Sequence, residues 1–196
     1  MAIVMQMEWN EVRPEQYDEA RRVVDWEGTV PDGAVLHAAW FGKDGLRVWD
    51  VWESAEQFDT FTNERLMPGV AEVGIDGQPN VTILPCHAYQ FERVQNDGNA
   101  VVELGEVPQD VYDALAAKVD WTSNPPEGGL AHMAARGDDG TVRLLSVWSS
   151  ASAAEAFDRD RVAPAAEALG MDVPDDATDD PEPLHRMFAA PGAGAR

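Results

Sequence analysis

The stretch "HAAWFGKDGLRVWDVWES", residues 37–54, decides the fold because a near copy, "HMAARGDDGTVRLLSVWSS", follows at residues 132–150. In each copy two β-rich runs flank a short turn, GKDG or GDDG, and this pattern predicts a β-hairpin. Ser54, with Gln57 three residues later, has the spacing of a helix capping box, so a helix is expected to follow the hairpin. The chain therefore contains the same structural unit twice.

The repeat extends well beyond this hairpin. All four histidines fall into two repeat-equivalent pairs, which chance matching does not produce. The equivalent residues include Tyr17 and Tyr112, Trp26 and Trp121, His37 and His132, Arg47 and Arg143, Trp52 and Trp148, Phe61 and Phe157, Pro68 and Pro164, and His87 and His185. Each half reads in the order βαββαβ, which is the ferredoxin-like unit.

The chain is accordingly divided into four segments. Residues 1–92 form the first ferredoxin-like repeat and residues 100–189 form the second. Residues 93–99 are polar and rich in breakers, as expected of a linker, and residues 190–196 are expected to be a flexible tail.

The need to bury the apolar face of each sheet predicts how the two repeats associate. A ferredoxin-like sheet carries helices on one face only, and the other face is apolar here and needs a cover. The sheet of the other repeat is the simplest cover, so the fold class is α+β, with the two repeats packed sheet to sheet as an intramolecular dimeric α/β barrel. In that barrel the second strand of one repeat lies beside the last strand of the other. This places His37 near His185 and His132 near His87.

Composition limits the classes of partner. The 196 residues contain 36 Asp and Glu against 14 Lys and Arg, a net charge of −22, so nucleic acid and anionic membrane are not expected partners. Cys86 is the single cysteine, which excludes an internal disulfide and fits a reducing cytoplasm. No apolar run reaches the length of a membrane span. Pairing of two chains into a further homodimer stays open.

The segments "VWESAEQFDTF" and "VWSSASAAEAF" resemble the dimeric α+β barrel superfamily, and within it the antibiotic biosynthesis monooxygenases. The resemblance covers both repeats and implies a cofactor-free oxygenase, a polyketide cyclase or an isomerase. Haem-degrading relatives place an axial histidine in the second helix, yet residues 54–73 and 150–170 contain none, so no cofactor is expected. Neither third strand has the asparagine of the quinone-forming oxygenases.

The histidines are the first candidates for chemistry. His37, His87, His132 and His185 could act in pairs as general base and acid, because neutral imidazole accepts protons near physiological pH. The alternative is that each fills a barrel corner and bonds a backbone carbonyl. No metal is expected, since ligand-spaced motifs such as HxH and HExxH are absent.

The second set of candidates distinguishes the first repeat from its copy. Trp40, Phe41, Trp49 and Tyr89 are replaced in the second repeat by Ala135, Arg136, Leu145 and Met187, so they either line one aromatic ligand pocket or reflect drift in core packing. Trp52 and Arg47 are further candidates for contact with such a ligand. Asp50, which becomes Ser146, could pair with Arg47 or orient His37 or His87 as a base, or it could lie at a solvated rim.

These observations favour a small-molecule enzyme that acts on an aromatic or polyketide-like substrate by histidine-assisted deprotonation, without a cofactor. A cyclase or isomerase with the same residues, and a non-catalytic barrel that only holds a small ligand, are the alternatives.

Overall fold

The computed structural model describes residues 1–171 and 177–193 of the chain. These residues fall into two compact units. The first unit is Met1–Pro85 with His185–Ala193, and the second is built from Cys86–Leu184. Each unit therefore contains most of one repeat together with the end of the other repeat's last strand.

The first unit has the predicted order βαββαβ, with its second helix in three segments. Its elements are β1 (Ile3–Asn10), α1 (Pro14–Val24), β2 (Ala34–Gly42), β3 (Gly45–Trp52), α2 (Ala55–Phe61), a π-helical turn (Thr62–Leu66), α3 (Met67–Val73) and β4 (Asn80–Phe91). The second unit repeats the order with β5 (Val101–Pro108), α4 (Gln109–Val119), β6 (Gly129–Arg136), β7 (Thr141–Trp148), α5 (Ala151–Phe157), a π-helical turn (Asp158–Val162), α6 (Ala163–Leu169) and β8 (Glu182–Ala189).

Strand pairing in both units is antiparallel and follows the predicted topology. In the first unit the strand order is β4-β1-β3-β2-β8, and in the second it is β8-β5-β7-β6-β4. This is the order expected of the predicted barrel, with β8 beside β2 and β4 beside β6. The α+β class and the two ferredoxin-like repeats are therefore confirmed.

The hairpins form for the reason that the sequence gives. Residues 43 and 44 are the two loop residues between β2 and β3, and Gly42 pairs with Gly45 where the strands close. Gly45 adopts φ 143°, and a Cβ there would stand 2.5 Å from the backbone oxygen of Trp9. Only glycine fits this position, because a side chain would collide with the neighbouring strand.

The second helix of each unit begins and continues in the same way. The hydroxyls of Ser54 and Ser150 accept the backbone N–H groups of Gln57 and Ala153, as N-caps do. A π-helical turn ends two residues before each of Pro68 and Pro164, after which the helix continues. A proline has no N–H to donate, and the wider turn adapts the helix to that loss.

The π-helical turns hold the first helix of each unit. Arg65 donates to the carbonyls of Val24 at 2.7 Å and Asp25 at 3.0 Å, at the end of α1. Arg161 bonds the carbonyls of Val119 and Asn124 at the end of α4. A cation at the carbonyl end of a helix satisfies free acceptors and complements the helix dipole.

The core between helices and sheet contains larger side chains in the first unit than in the second. A large cluster in the first unit includes Met7, Trp9 and Phe58, whereas the corresponding cluster among the described residues of the second unit has three buried members, Trp121, Trp148 and Ala154. The strand registers place Gly105 and Val107 of the second unit where the first unit has Met7 and Trp9. In the second helix, Ala154 stands where the first unit has Phe58. Loss of side-chain volume at equivalent positions opens space in the second unit.

The predicted segment boundaries at 92, 93–99 and 100–189 stay a prediction. Contacts divide the chain after Pro85 and after Leu184, because β4 and β8 each begin in one unit and end in the other. Residues 194–196 of the predicted tail lie outside the described residues.

Candidate functional site

In the first unit three polar side chains form a hydrogen-bonded chain beneath α1. The Tyr17 hydroxyl lies 2.7 Å from His37 Nε2, and His37 Nδ1 lies 2.7 Å from Asp50 Oδ1. His37 on β2 and Asp50 on β3 are register partners, so their side chains leave the same face of the sheet. The Trp52 indole donates to the second carboxylate oxygen, Oδ2, at 3.4 Å.

This chain has one consistent set of donors. Burial raises the pKa of Tyr17, and the negative charge of Asp50 raises it further, so the phenol keeps its proton. The O–H of Tyr17 can then donate to Nε2 while the Nδ1–H of His37 donates to the carboxylate. Asp50 thus has a histidine as its partner, and it fixes the tautomer and the orientation of the imidazole.

The space around these three hydrogen-bonded side chains is small. The cavity that Tyr17, His37 and Asp50 line is about 80 Å³, and most of its other walls are apolar core residues. Arg21 and Glu27 complete the lining, and Glu27 is bonded to both Arg21 and Arg186. Burial alone would raise the pKa of Glu27, but the hydrogen bonds and charge of Arg186 lower it. A cavity of this size is well below the volumes that hold drug-sized ligands.

His185 lies near this chain without being hydrogen-bonded to His37. Its Nε2 is 3.0 Å from Asp18 Oδ1, and its ring packs edge-on against Tyr17 with centroids 5.3 Å apart. Phe41 contacts the same histidine ring at 5.0 Å. The strand order brings His37 and His185 to one region, as expected, and the ring of Tyr17 contacts both.

The second unit repeats the chain with a serine in place of the aspartate. The Tyr112 hydroxyl lies 3.1 Å from His132 Nε2, and His132 Nδ1 lies 3.0 Å from the Ser146 hydroxyl. Burial lowers the pKa of His132 to about 4, so its imidazole is neutral at pH 7. Burial also raises the pKa of Tyr112, with a further contribution from Asp113. All three groups of this hydrogen-bonded series, Tyr112, His132 and Ser146, are therefore uncharged.

His87 stands on the other side of Tyr112, as His185 does beside Tyr17. Its Nε2 lies 2.6 Å from Asp113 Oδ1, and Arg136 donates to its Nδ1 at 2.8 Å. The hydrogen bond from His87 lowers the pKa of Asp113. The ring centroids of His87 and Tyr112 are 5.3 Å apart. Each predicted histidine pair is therefore joined through a tyrosine.

The second unit contains the larger cavity, about 410 Å³, which is within the range that holds small-molecule ligands. Its walls are mainly apolar, from Leu115, Trp121, Leu144, Phe157 and Val162 among others. Its polar lining includes Glu103, Tyr112, His132, Ser146 and Asp158.

Glu103 is the unexpected member of this lining. It is only 7% exposed, and its Oε2 accepts the Trp148 indole N–H at 3.1 Å. Its pKa is raised to about 7, mainly by burial and also by the negative charge of Asp158, while hydrogen bonds from Trp148 and Thr178 partly oppose the shift. Burial likewise raises the pKa of Asp158.

The predicted ligand-binding aromatics are distributed over different surfaces. Trp40 and Trp49 are buried on the face of their sheet opposite to His37 and Asp50. Arg47 pairs in register with Trp40, and Tyr89 is buried on β4 opposite Met133. Neither of the two cavities described above is lined by Trp40, Trp49, Arg47 or Tyr89. Phe41 contacts Tyr17 and His185, and Trp52 bonds Asp50.

Tyr17, Tyr112 and Glu103 belong to the observed sites but were not among the candidates from sequence. Tyr17 and Tyr112 were recognised only as markers of the repeat, although a tyrosine retained in both halves beside retained histidines was the available signal. Glu103 has Met5 as its counterpart in the first repeat. The available signal in the sequence was therefore an acid that is present in one repeat and absent from the other.

Within the described ranges, 1–171 and 177–193, no group of three or more His, Cys, Asp or Glu side chains could hold a metal ion. No helix in the same ranges is both long and apolar enough to cross a membrane.

Comparison with known proteins supports the fold. No protein-family model and no curated protein matches the chain. A solved structure from Lactobacillus acidophilus, provisionally assigned as a monooxygenase, matches with a TM-score of 0.73 and 14% identity over 100% of this chain and 99% of its own. A second provisional monooxygenase, from Fusobacterium nucleatum, gives 0.74 and 10% over 100% and 97%. An anthrone oxidase-like protein gives 0.53 and 17% over 98% and 94%.

These identities are low, so the likeness establishes a shared fold and not a shared activity. The fold is the one that the resemblance to the antibiotic biosynthesis monooxygenases implies.

Proposed function

We propose that the chain is a small-molecule enzyme whose substrate chamber is the cavity of the second unit. The observation that carries the proposal is the cavity itself, about 410 Å³ with apolar walls that converge on Tyr112, His132 and Ser146. Apolar space with a few convergent polar groups, one of them with a strongly shifted pKa, is the usual form of an active site.

The lining selects the class of substrate. Trp121 and Phe157 offer flat aromatic surfaces, and no described lining residue is lysine or arginine. Glu103 and Asp158 would repel a carboxylate or phosphate, so the substrate is a neutral, flat molecule of aromatic or polyketide type. Neutral His132 and Tyr112 can exchange hydrogen bonds with its carbonyl or phenol oxygen.

The proposed reaction begins with removal of a proton from a carbon or oxygen acid of the substrate. The resulting carbanion transfers an electron to molecular oxygen, and the two radicals combine to form a C–O bond. The peroxide takes back the proton, and loss of water leaves a carbonyl group. With anthrone as substrate, one anthrone and one O₂ give one anthraquinone and one water, so atoms and electrons balance.

Anthrone is also the probe for the experiment, because one protein that shares the fold is described as anthrone oxidase-like. Binding is measured by quenching of tryptophan fluorescence, and turnover by oxygen uptake with formation of anthraquinone. Leu115→Trp would fill the cavity, whereas Ala117→Trp on the same helix lies on an exposed position outside the lining and serves as the control.

Loss of binding and turnover in Leu115→Trp alone supports the proposal. Equal binding by both variants would refute the location of the site. Binding without oxygen uptake or any other change in the probe would favour a ligand-binding protein. Conversion of the probe without oxygen uptake would favour a cyclase or isomerase.

A further inference from the structure

A comparison of the two hydrogen-bonded chains shows that one carboxylate has changed strands between the repeats. In the first unit Asp50 of β3 stands opposite Met5 of β1. At the equivalent pair in the second unit, Ser146 of β7 stands opposite Glu103 of β5. Each unit thus keeps one acid in this cross-strand pair, but on opposite strands.

The repeat-equivalent tryptophans confirm that the two acids occupy corresponding places. The indole of Trp52 donates to Asp50 at 3.4 Å, and the indole of Trp148 donates to Glu103 at 3.1 Å. The difference lies in the other partners. Asp50 also accepts from His37, whereas His132 bonds Ser146 and leaves Glu103 without an imidazole partner.

From this transposition we infer that Glu103, and not a histidine, accepts the substrate proton in the cavity of the second unit. The inference rests on the proposed function and names the residue that performs its first step. The transferred proton comes from a carbon or oxygen acid of the substrate, and it converts the Glu103 carboxylate into a carboxylic acid while the substrate becomes an anion.

The surroundings of Glu103 suit this role. It lines the cavity, it is nearly buried, and its two hydrogen-bond donors, Trp148 and Thr178, are both neutral. The charged group that acts on it is Asp158, which is a second acid. A carboxylate in this setting gains from protonation, because a buried negative charge without a cationic partner is unfavourable.

The number of buried charges also favours transfer to Glu103. When a neutral substrate gives its proton to an ionised carboxylate, one buried anion replaces another. Transfer to neutral His132 would instead create a buried cation beside a buried anion. The titratable groups that line the cavity are His87, Glu103, Tyr112, Asp113, Asp120, His132 and Asp158.

The strength of each group as a base agrees with the assignment. Glu103 has its pKa at about 7, which is the range in which a general base works well at neutral pH. Burial lowers the pKa of His132 to about 4, which makes its imidazole a weak base. The two candidates therefore predict different pH profiles.

The absence of a side chain at Gly105 accounts for how Thr178 reaches this carboxylate. A Cβ at Gly105 would stand 2.8 Å from the carbonyl oxygen of Ala177 and 3.1 Å from Thr178 Cγ2. The equivalent position in the first unit is Met7, which fills the corresponding space. The replacement therefore admits the segment that bonds Glu103.

The test measures proton transfer from the substrate in the absence of molecular oxygen. Anthrone is incubated anaerobically with the full chain in deuterated buffer, and NMR records exchange of its acidic methylene protons. This measurement reports deprotonation whether the complete reaction is an oxygenation or an isomerisation. The variants are Glu103→Gln and His132→Gln. Glu106→Gln, on the same strand with a half-exposed side chain bonded to Arg143, is the matched control.

The expected result is that wild-type protein and Glu106→Gln accelerate exchange equally, whereas Glu103→Gln loses about 100-fold or more of the acceleration. The wild-type rate should rise with pH through about 7, because Glu103 must be ionised to accept a proton. His132→Gln should retain this pH dependence.

Two results would overturn the inference in different ways. Exchange that survives in Glu103→Gln and disappears in His132→Gln would assign the proton to the imidazole and leave the proposed function intact. No exchange by the wild-type protein would refute the inference and the proposed function together.

Infrared spectroscopy of the ligand-free protein gives a readout that does not depend on activity. A protonated carboxyl band should be present at pH 6, titrate near pH 7 and be absent from Glu103→Gln. An ionised Glu103 at pH 6 would contradict the inference. Glutamine can accept the same indole N–H, so the variant should fold. Glu103→Asp, which keeps a carboxyl and should keep the pH dependence at a lower rate, is the second variant.

Discussion

His132 should make the protein sensitive to acid, and His132→Gln should remove that sensitivity. Burial lowers the histidine pKa from 6.5 to about 4 in the folded chain. Between these values the unfolded chain binds a proton that the folded chain does not, so folding becomes less favourable as pH falls. Burial of neutral His132 lowers the free energy of unfolding by about 0.2 kcal/mol at pH 7 and by about 2 kcal/mol at pH 5.

The assay is urea unfolding of wild type and variant at pH 7, 6 and 5, followed by tryptophan fluorescence. The difference in unfolding free energy between the two proteins should shift by about 2 kcal/mol in favour of His132→Gln between pH 7 and pH 5. Leu144→Ala, at an apolar position of the same cavity, should differ from wild type by an amount independent of pH.

The comparison of variants is necessary because Glu103 acts in the opposite direction. Its pKa is raised from 4.5 to about 7, so the stability that it contributes is present below pH 4.5 and is lost as pH rises through 7. Wild-type measurements contain the sum of both effects. Parallel stability curves for wild type and His132→Gln from pH 7 to pH 5 would refute the assignment of His132 as a buried neutral imidazole.

Three further changes test the packing around the sites, each by the free energy of unfolding in urea. Asp50→Asn should lose about 1–3 kcal/mol, because both carboxylate oxygens accept buried N–H donors and an amide can accept at only one; a neutral effect would contradict the donor assignment. Arg65→Lys should lose about 1–2 kcal/mol, since one ammonium cannot reproduce the bonds that hold the end of α1, and unchanged stability would show that water replaces them. Ser54→Ala should lose about 1 kcal/mol with the N-cap, and an effect below about 0.3 kcal/mol would contradict the role of that cap.

The fold was predictable because its signals are local and occur twice. The GKDG and GDDG turns, the serine caps and the alternating strands each depend on residues close in sequence, and the structure contains all of them. The π-helical turns were not predicted. Pro68 and Pro164 mark the loss of a helix hydrogen bond, but a kink and a widened turn both accommodate that loss and look alike in sequence.

The histidine sites were predictable in part. The expected strand order brought each histidine pair to one region, and Asp50 has a histidine as its partner. The hydroxyls of Tyr17 and Tyr112 complete the chains from the first helix of each unit, about twenty residues before the histidines. Which face a helical tyrosine presents depends on how the helix docks, and sequence spacing does not specify that.

The larger cavity depends on differences that have no meaning until the repeats are superposed in space. Gly105, Val107 and Ala154 look like ordinary strand and helix residues, and only the strand register shows that they stand where the first repeat has Met7, Trp9 and Phe58.

The sequence by itself determined that the protein is a duplicated ferredoxin-like unit of α+β class, because turns, caps and strand alternation are written in neighbouring residues. Tertiary structure alone decided where a ligand can fit and which acid is free to react. Volume and desolvation are properties of a packed environment. Glu103 is one of many acids in the sequence, and it becomes distinct only when burial beside Asp158 raises its pKa in a cavity much larger than that of the first unit.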